Sequence, residues 1–275
     1  MRSAVSGLEL RTPDTLGEAL EMLAGNPSLV PLAGGTDVYV DLQFGTAAPA
    51  AYMDISGLEE LRFVEERGDV LALGGGTTFA AILRSEAVLL RLPMLVEAAA
   101  TVGGAQIQAA ATVGGNIANA SPAGDSLPVF AAADATLVLR SASGERRVPF
   151  NDFYTGYRET RLGPGELIVA VEVPPVRGPQ WYRKVGTRAA QAISKVVMAA
   201  VRARRPRVAF GSVAPTPVRA THAEEALASG AGAAEVRAAL ARDISPIDDV
   251  RSTASYRLAV AGNLLLSWWE QGEAG

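Results

Sequence analysis

Leu16, Ala19, Leu20 and Leu23 recur at helical spacing behind Thr15-Leu16-Gly17-Glu18, a capping box, and Gly25-Asn26-Pro27 closes the helix they predict. The apolar run Leu29–Ala33 predicts a short buried strand. Val38–Leu42 predicts a short helix and Ala51–Ile55 another strand, so residues 1–56 form a small α/β unit. The texture then changes. Leu61–Glu65 and Val70–Gly74 are short strands around Arg67-Gly68-Asp69, followed by helical patterns at Phe79–Leu83 and Pro93–Ala100. A helix from Leu127 to Ala133 precedes a strand at Thr136–Arg140, which turns at Ser143-Gly144-Glu145 into Arg147–Pro149. Leu167–Val173 is the strongest strand pattern in the chain.

Pro174-Pro175 and Gly178-Pro179 interrupt the pattern, and a domain boundary is expected there. Beyond it, Ile193–Val201 and Val208–Val213 read as neighbouring antiparallel strands. Ala223–Ala228, Ala233–Ala241 and Ser252–Trp269 read as helices. Three units follow: 1–56, 57–173 and 174–275. The expected class is α+β.

Composition narrows the chemistry. The chain has 275 residues, 49% of them apolar, enough for a large core. It has no cysteine, which excludes disulfides, thiolate nucleophiles and Cys-ligated iron–sulfur clusters. The single histidine, His222, argues against a His-based metal site or a serine triad. No catalytic side chain and no metal-ligand set is expected. The first seven residues lack a signal-peptide core, and no apolar run approaches the roughly 18 residues of a membrane span. A cytoplasmic protein is therefore expected. Residues 1–173 carry 11 basic and 21 acidic side chains, and residues 174–275 carry 14 and 8. The basic half, with few aromatics among its arginines, fits an acidic partner, a phosphate-bearing ligand or a solvated face better than nucleic acid.

Two glycine turns hold the candidate chemistry. One is Leu32-Ala33-Gly34-Gly35-Thr36-Asp37, between an expected strand and an expected helix. The other runs from Thr112-Val113-Gly114-Gly115-Asn116 through Ile117-Ala118-Asn119-Ala120 to Ser121-Pro122-Ala123-Gly124-Asp125. Neither is a Walker A loop or a Rossmann fingerprint. Backbone amides beside paired glycines can point at a pyrophosphate, and Thr, Asn, Ser and Asp can bond the rest of a ligand. Asp125 fits a ribose diol, or alternatively caps the helix near Leu127. Two such turns point to a large phosphorylated cofactor held at two points, which we read as a flavin.

Those two runs, together with Lys184-Val185-Gly186-Thr187-Arg188, Ile193-Ser194, Phe210–Arg219 and Ser255-Tyr256-Arg257, resemble the FAD-binding (medium) subunit of the molybdenum hydroxylases. That family includes the flavin subunits of xanthine dehydrogenase and carbon monoxide dehydrogenase. The resemblance runs in order over most of the chain. It implies a vanillyl-alcohol-oxidase-type fold, with two α+β subdomains around FAD and a C-terminal domain of antiparallel sheet and helices. It implies that Leu32, Ala33, Gly34, Gly35, Thr36, Asp37 and Val38, with Thr112, Val113, Gly114, Gly115 and Asn116, hold the pyrophosphate. Asn119 and Asp125 would meet the ribose or ribityl region, Ile168 the ring system, and Lys184 the isoalloxazine end. Lys184 is one of only two lysines, and its alternative role is that of a surface lysine. Val102 stands where some relatives place an aromatic side chain.

The implied function is electron transfer. Electrons from iron–sulfur clusters and a molybdenum-cofactor subunit would pass through FAD to NAD, quinone or oxygen, in a dimer of heterotrimers. A free-standing FAD oxidoreductase of the same fold and a flavin-less interface subunit are the alternatives. Trp268-Trp269 fits either a partner interface or the packing of an amphipathic helix.

Overall fold

The computed structural model describes residues 8–44, 51–189 and 191–271. The N-terminal stretch in which no signal-peptide core was expected lies outside them. The first unit alternates β1 (Glu9–Arg11), α1 (Leu16–Gly25), β2 (Val30–Leu32), α2 (Val38–Phe44) and β3 (Ala51–Asp54). Its three strands are parallel in the order β1-β3-β2. Thr15 caps α1 by accepting from the Glu18 amide at 3.1 Å, as expected. The return bond differs from a capping box, because Glu18 accepts from the Asp14 amide rather than from Thr15.

The second unit is built on a five-stranded sheet. Its strands are β4 (Val64–Arg67), β5 (Val70–Gly74), β6 (Thr136–Ser141), β7 (Gly144–Pro149) and β10 (Leu167–Val173), in the order β4-β5-β10-β6-β7. A small hairpin, β8 (Tyr154–Gly156) and β9 (Glu159–Thr160), stands apart from it. β10 is central and buried on both faces, which explains its unbroken apolar run. One face, with Val138, Leu167 and Ala170, packs on the α1 stripe Leu16, Ala19, Leu20 and Leu23. The other face, with Leu73, Leu137, Ile168 and Val171, packs on the helices.

Those helices are α3 (Phe79–Arg84), α4 (Glu86–Arg91), α5 (Pro93–Ala100), α6 (Ala105–Ala110), α7 (Val113–Ala118) and α8 (Leu127–Ala132). Pattern analysis finds α3, α5 and α8 but not α4 or α6. It also reads as turn the residues that form α7. Leu61–Glu65 is a 3₁₀ turn (Glu59–Leu61) that leads into β4, not a continuous strand.

The third unit begins after Pro174-Pro175. Strands β11 (Gln180–Val185), β12 (Val196–Val201), β13 (Arg207–Gly211) and β14 (Val218–Arg219) are antiparallel neighbours in that order. α9 (Thr221–Ala228), α10 (Ala233–Asp243) and α11 (Ala254–Gln271) cover one face. Every residue of β12 is buried. Strand alternation sends Val197, Ala199 and Val201 toward the second unit, and Val196, Met198 and Ala200 toward α9–α11. The strand starts at Val196 rather than Ile193, since Ser194 is turned inward to bond Ser212 Oγ at 2.8 Å. β11 was not foreseen; Arg183 and Lys184 mask its alternation.

Several arginines of the basic half are spent internally. Arg202 donates to the Trp268 and Trp269 carbonyls at the end of α11 and lies over both rings, so this pair serves packing of the helix. Arg207 and Arg219 both bond Asp134, whose own backbone has φ 52°. Among the described residues, no helix is long and apolar enough to cross a membrane.

Arg257 is the most deeply buried cation among the described residues. It donates to the Ser212 carbonyl at 2.7 Å, the Lys195 carbonyl at 3.0 Å and Asp249 at 2.7 Å. Arg257→Ala strands two carbonyls and a carboxylate, so stability should fall by roughly 3–5 kcal/mol. Urea unfolding of the variant checks this, and a loss below about 1 kcal/mol would show that water replaces the guanidinium without cost.

Candidate functional site

A cavity of about 470 Å³ opens between the first two units. One wall is the turn after β2. Gly35 has φ 69°, a backbone that side chains rarely adopt. A methyl group on Gly34 would run into the Ala110 carbonyl, so the turn lies directly on the end of α6. Ala33, Gly34, Gly35, Thr36, Asp37 and Val38 all line the cavity. Leu32 stands behind them as the last residue of β2.

The facing wall is α7. Thr112 caps it, its hydroxyl accepting from the Gly115 amide at 3.2 Å. The Gly114 amide donates to Gly75 O at 2.8 Å, the Val113 amide to Thr77 O at 2.9 Å, and the Asn116 amide to Thr112 O at 2.9 Å. The first turn of α7 is thus stitched into residues 75–77. Thr112, Gly114, Gly115, Asn116 and Asn119 line the cavity, while Val113 is fully buried in the core. Val102 and Ile168 line it as well.

The two walls differ in what they offer a ligand. The amides of α7's first turn already have acceptors. Among the described residues, the successive amides of Gly34, Gly35, Thr36 and Asp37 have none. Four neighbouring N–H groups without acceptors, on residues that line the cavity, can serve an anion such as a pyrophosphate. The α7 wall contributes the glycine surface and the side chains of Asn116 and Asn119.

Asp125 and Lys184 lie off the cavity and pair with each other. Lys184 Nζ is 2.6 Å from Asp125 Oδ2, and both side chains are about nine-tenths buried. Lys184 also donates to the Thr101 carbonyl at 3.0 Å, and Tyr182 meets the Thr101 hydroxyl at 3.3 Å. Asp125 Oδ1 is buried with no partner. Burial pushes the Asp125 carboxyl up to about 6, although Lys184 draws it down. The pair touches the cavity wall on both sides. Thr101 precedes Val102, and Ser126, the neighbour of Asp125, donates to Asn116 Oδ1 at 2.8 Å. Asp125 does not cap α8, whose N-cap residue is Ser126.

Sequence reasoning misses part of the lining. Gly75, Gly76 and Thr78 belong to a glycine run directly after β5, a signal present in the sequence to which no role was given. Ser56, Arg62 and Glu166 also line the cavity, and nothing in their sequence surroundings marks them. The open amides fit a phosphate group, and Asn116 and Asn119 on the facing wall can bond the rest of a ligand, so the donor set suits a dinucleotide cofactor such as FAD.

Residues 6–176 match the family described as FAD binding domain in molybdopterin dehydrogenase, and residues 181–271 match the carbon monoxide dehydrogenase flavoprotein C-terminal domain. The chain is 31% identical to the glyceraldehyde dehydrogenase medium chain of Sulfolobus acidocaldarius, covering 94% of this chain and 95% of that protein. It is 34% identical to the xanthine dehydrogenase FAD-binding subunit of Escherichia coli O157:H7, covering 89% and 88%. Among solved structures, carbon monoxide dehydrogenase from Hydrogenophaga pseudoflava lacking the Mo-pyranopterin moiety superimposes with a TM-score of 0.88, at 30% identity and 94% coverage of both chains. With these matches beside its α+β fold, the chain belongs to the FAD-binding medium subunits of the molybdopterin dehydrogenases, oxidoreductase flavoproteins that work within larger complexes.

Proposed function

We propose that this subunit carries electrons between partner iron–sulfur clusters and an external acceptor of the NAD, quinone or oxygen class. The observation that carries the proposal is the pairing of open amides at Gly34–Asp37 with a cavity inside an FAD-binding domain. Bound FAD supplies the exchange between one-electron and two-electron carriers.

The chain's own residues hold and orient that group. The Gly34–Asp37 amides donate to phosphate oxygens, with Thr112 and Asn116 across the cavity. Asp125, which lies off the cavity, is our proposed acceptor for a sugar or ribityl hydroxyl that extends past Asn116, and Lys184 offsets the charge of its carboxylate. Ile168 and Val102 present apolar surface to the rings. A cysteine-free chain has no ligands for a Cys-held cluster, so its electrons come from an iron–sulfur subunit, fed in turn by a molybdenum-cofactor subunit. That relatives are medium chains supports such an assembly, for which we propose a cytoplasmic dimer of heterotrimers. The division into 1–56, 57–173 and 174–275 belongs to the same proposal, supported by one main sheet in each unit.

Heat release should yield FAD from the purified chain, and co-purification from its host should bring an iron–sulfur and a molybdenum subunit. A colourless chain that takes up no added FAD would defeat the reading. Asp125→Asn removes a charged acceptor and should weaken FAD binding by about tenfold to a hundredfold, measured by titrating the stripped protein. The same variant has a pH signature. A carboxyl held near 6 in the folded state, against ~4 unfolded, keeps its proton longer when folded. Stability of the stripped protein should therefore fall as pH rises from about 4 to about 6, and level off above. Asp125→Asn should remove that part of the slope, and an unchanged slope would assign the titration elsewhere.

A further inference from the structure

We infer that Arg158 is the cation of the pyrophosphate subsite, a residue that bonds the cofactor directly. This rests on the FAD reading above and adds to it a residue outside both glycine turns.

Arg158 sits at the tip of the β8–β9 hairpin, where the pair Gly156–Glu159 closes a two-residue turn over Tyr157 and Arg158. Its φ is 56°, in the left-handed region, where glycine or asparagine sits with less strain. Strain of this kind directs attention to what the side chain meets. That side chain reaches from the hairpin to the cavity rim, where Nη1 donates to Asn119 Oδ1 at 3.0 Å. It also lies close enough to Asp37 to act on its charge: burial raises the Asp37 carboxyl, and Arg158 draws it back down. Asn119 and Asp37 both line the cavity, and Asp37 ends the row of open amides. Arg158 thus stands beside the one stretch of backbone equipped for an anion.

The charge balance of the cavity asks for such a group. Its charged lining residues are Asp37, Asp41, Glu166 and Arg62, and Glu166 is already paired with Arg146. Arg62 is occupied by Glu59 and by the Ser56 carbonyl. A diphosphate entering this lining brings two negative charges, which amides alone would have to offset, since the lining cation Arg62 is taken. Arg158 has a neutral hydrogen-bond partner, and no carboxylate among the described residues bonds it directly. Exchanging Asn119 for a phosphate oxygen replaces a neutral bond with a charge-assisted one, for which the planar guanidinium offers two parallel donors.

The test is Arg158→Gly in the full chain stripped of flavin. Glycine accepts the left-handed backbone, so the melting temperature should stay level or rise. The FAD dissociation constant should rise roughly tenfold to a hundredfold. ADP, which shares the pyrophosphate but lacks the flavin ring, should lose affinity by a similar factor when used as the competitor. Salt should weaken FAD binding less in the variant than in the parent. Arg158→Lys should recover part of the loss, since it restores charge without the fork. An unchanged FAD constant in the variant overturns the inference, as does a loss that ADP does not share or one that follows a lowered melting temperature. A parent chain that binds neither FAD nor ADP overturns the cofactor reading itself.

Discussion

The cavity exists because three stretches of backbone meet without side chains between them. The Gly75 amide donates to Val169 O at 2.9 Å, at the point where β10 carries an extra residue relative to β6. The Gly75 carbonyl then accepts from Gly114 at the start of α7. A methyl group on Gly75 would strike the Ile168 carbonyl, and one on Gly114 would lie 2.7 Å from Gly75 O. The bulge in the central strand, the turn after β5 and the capped end of α7 therefore form one unit. Ile168, Gly75 and Gly114 reach the cavity together because none can shift alone.

This arrangement divides the labour between the two glycine turns. A helix end must satisfy its first amides, and α7 does so within the protein through Thr112, Thr77 and Gly75. The turn after β2 is held by the close approach of Gly34 to Ala110, a contact of packing rather than of hydrogen bonds, which leaves its amides for a ligand. One turn gives the site its shape and the other gives it donors. Similar sequences thus do different physical work, set by which neighbours their amides find.

Most of the core was legible in the chain. Period and capping mark α1, and an unbroken apolar run marks β10 and most of β12, because burial on both faces leaves no room for polar residues. Glycine pairs beside Thr and Asn mark two walls of the cavity. What stayed hidden depends on partners distant in sequence. Ser194 looks like part of a strand until Ser212 turns it inward. Arg202, Arg207 and Arg219 look like a basic surface until the Trp268 and Trp269 carbonyls, Asp134 and Glu224 take them up. α4 and α6, each six residues long, give too few turns for a period to emerge.

The Asp125–Lys184 pair shows why the third unit matters to a cavity it does not line. β11 brings Lys184 to a carboxylate of the second unit, and the same strand brings Tyr182 to Thr101. A buried carboxylate is costly unless a cation faces it. Lys184 therefore lets the second unit keep a charged acceptor with one oxygen still unbonded. The lysine ties that carboxylate to the Thr101 carbonyl, next to Val102, and Ser126 beside Asp125 bonds Asn116, so the pair braces two lining residues without touching the cavity. The seam between the second and third units thus helps to set the cavity wall.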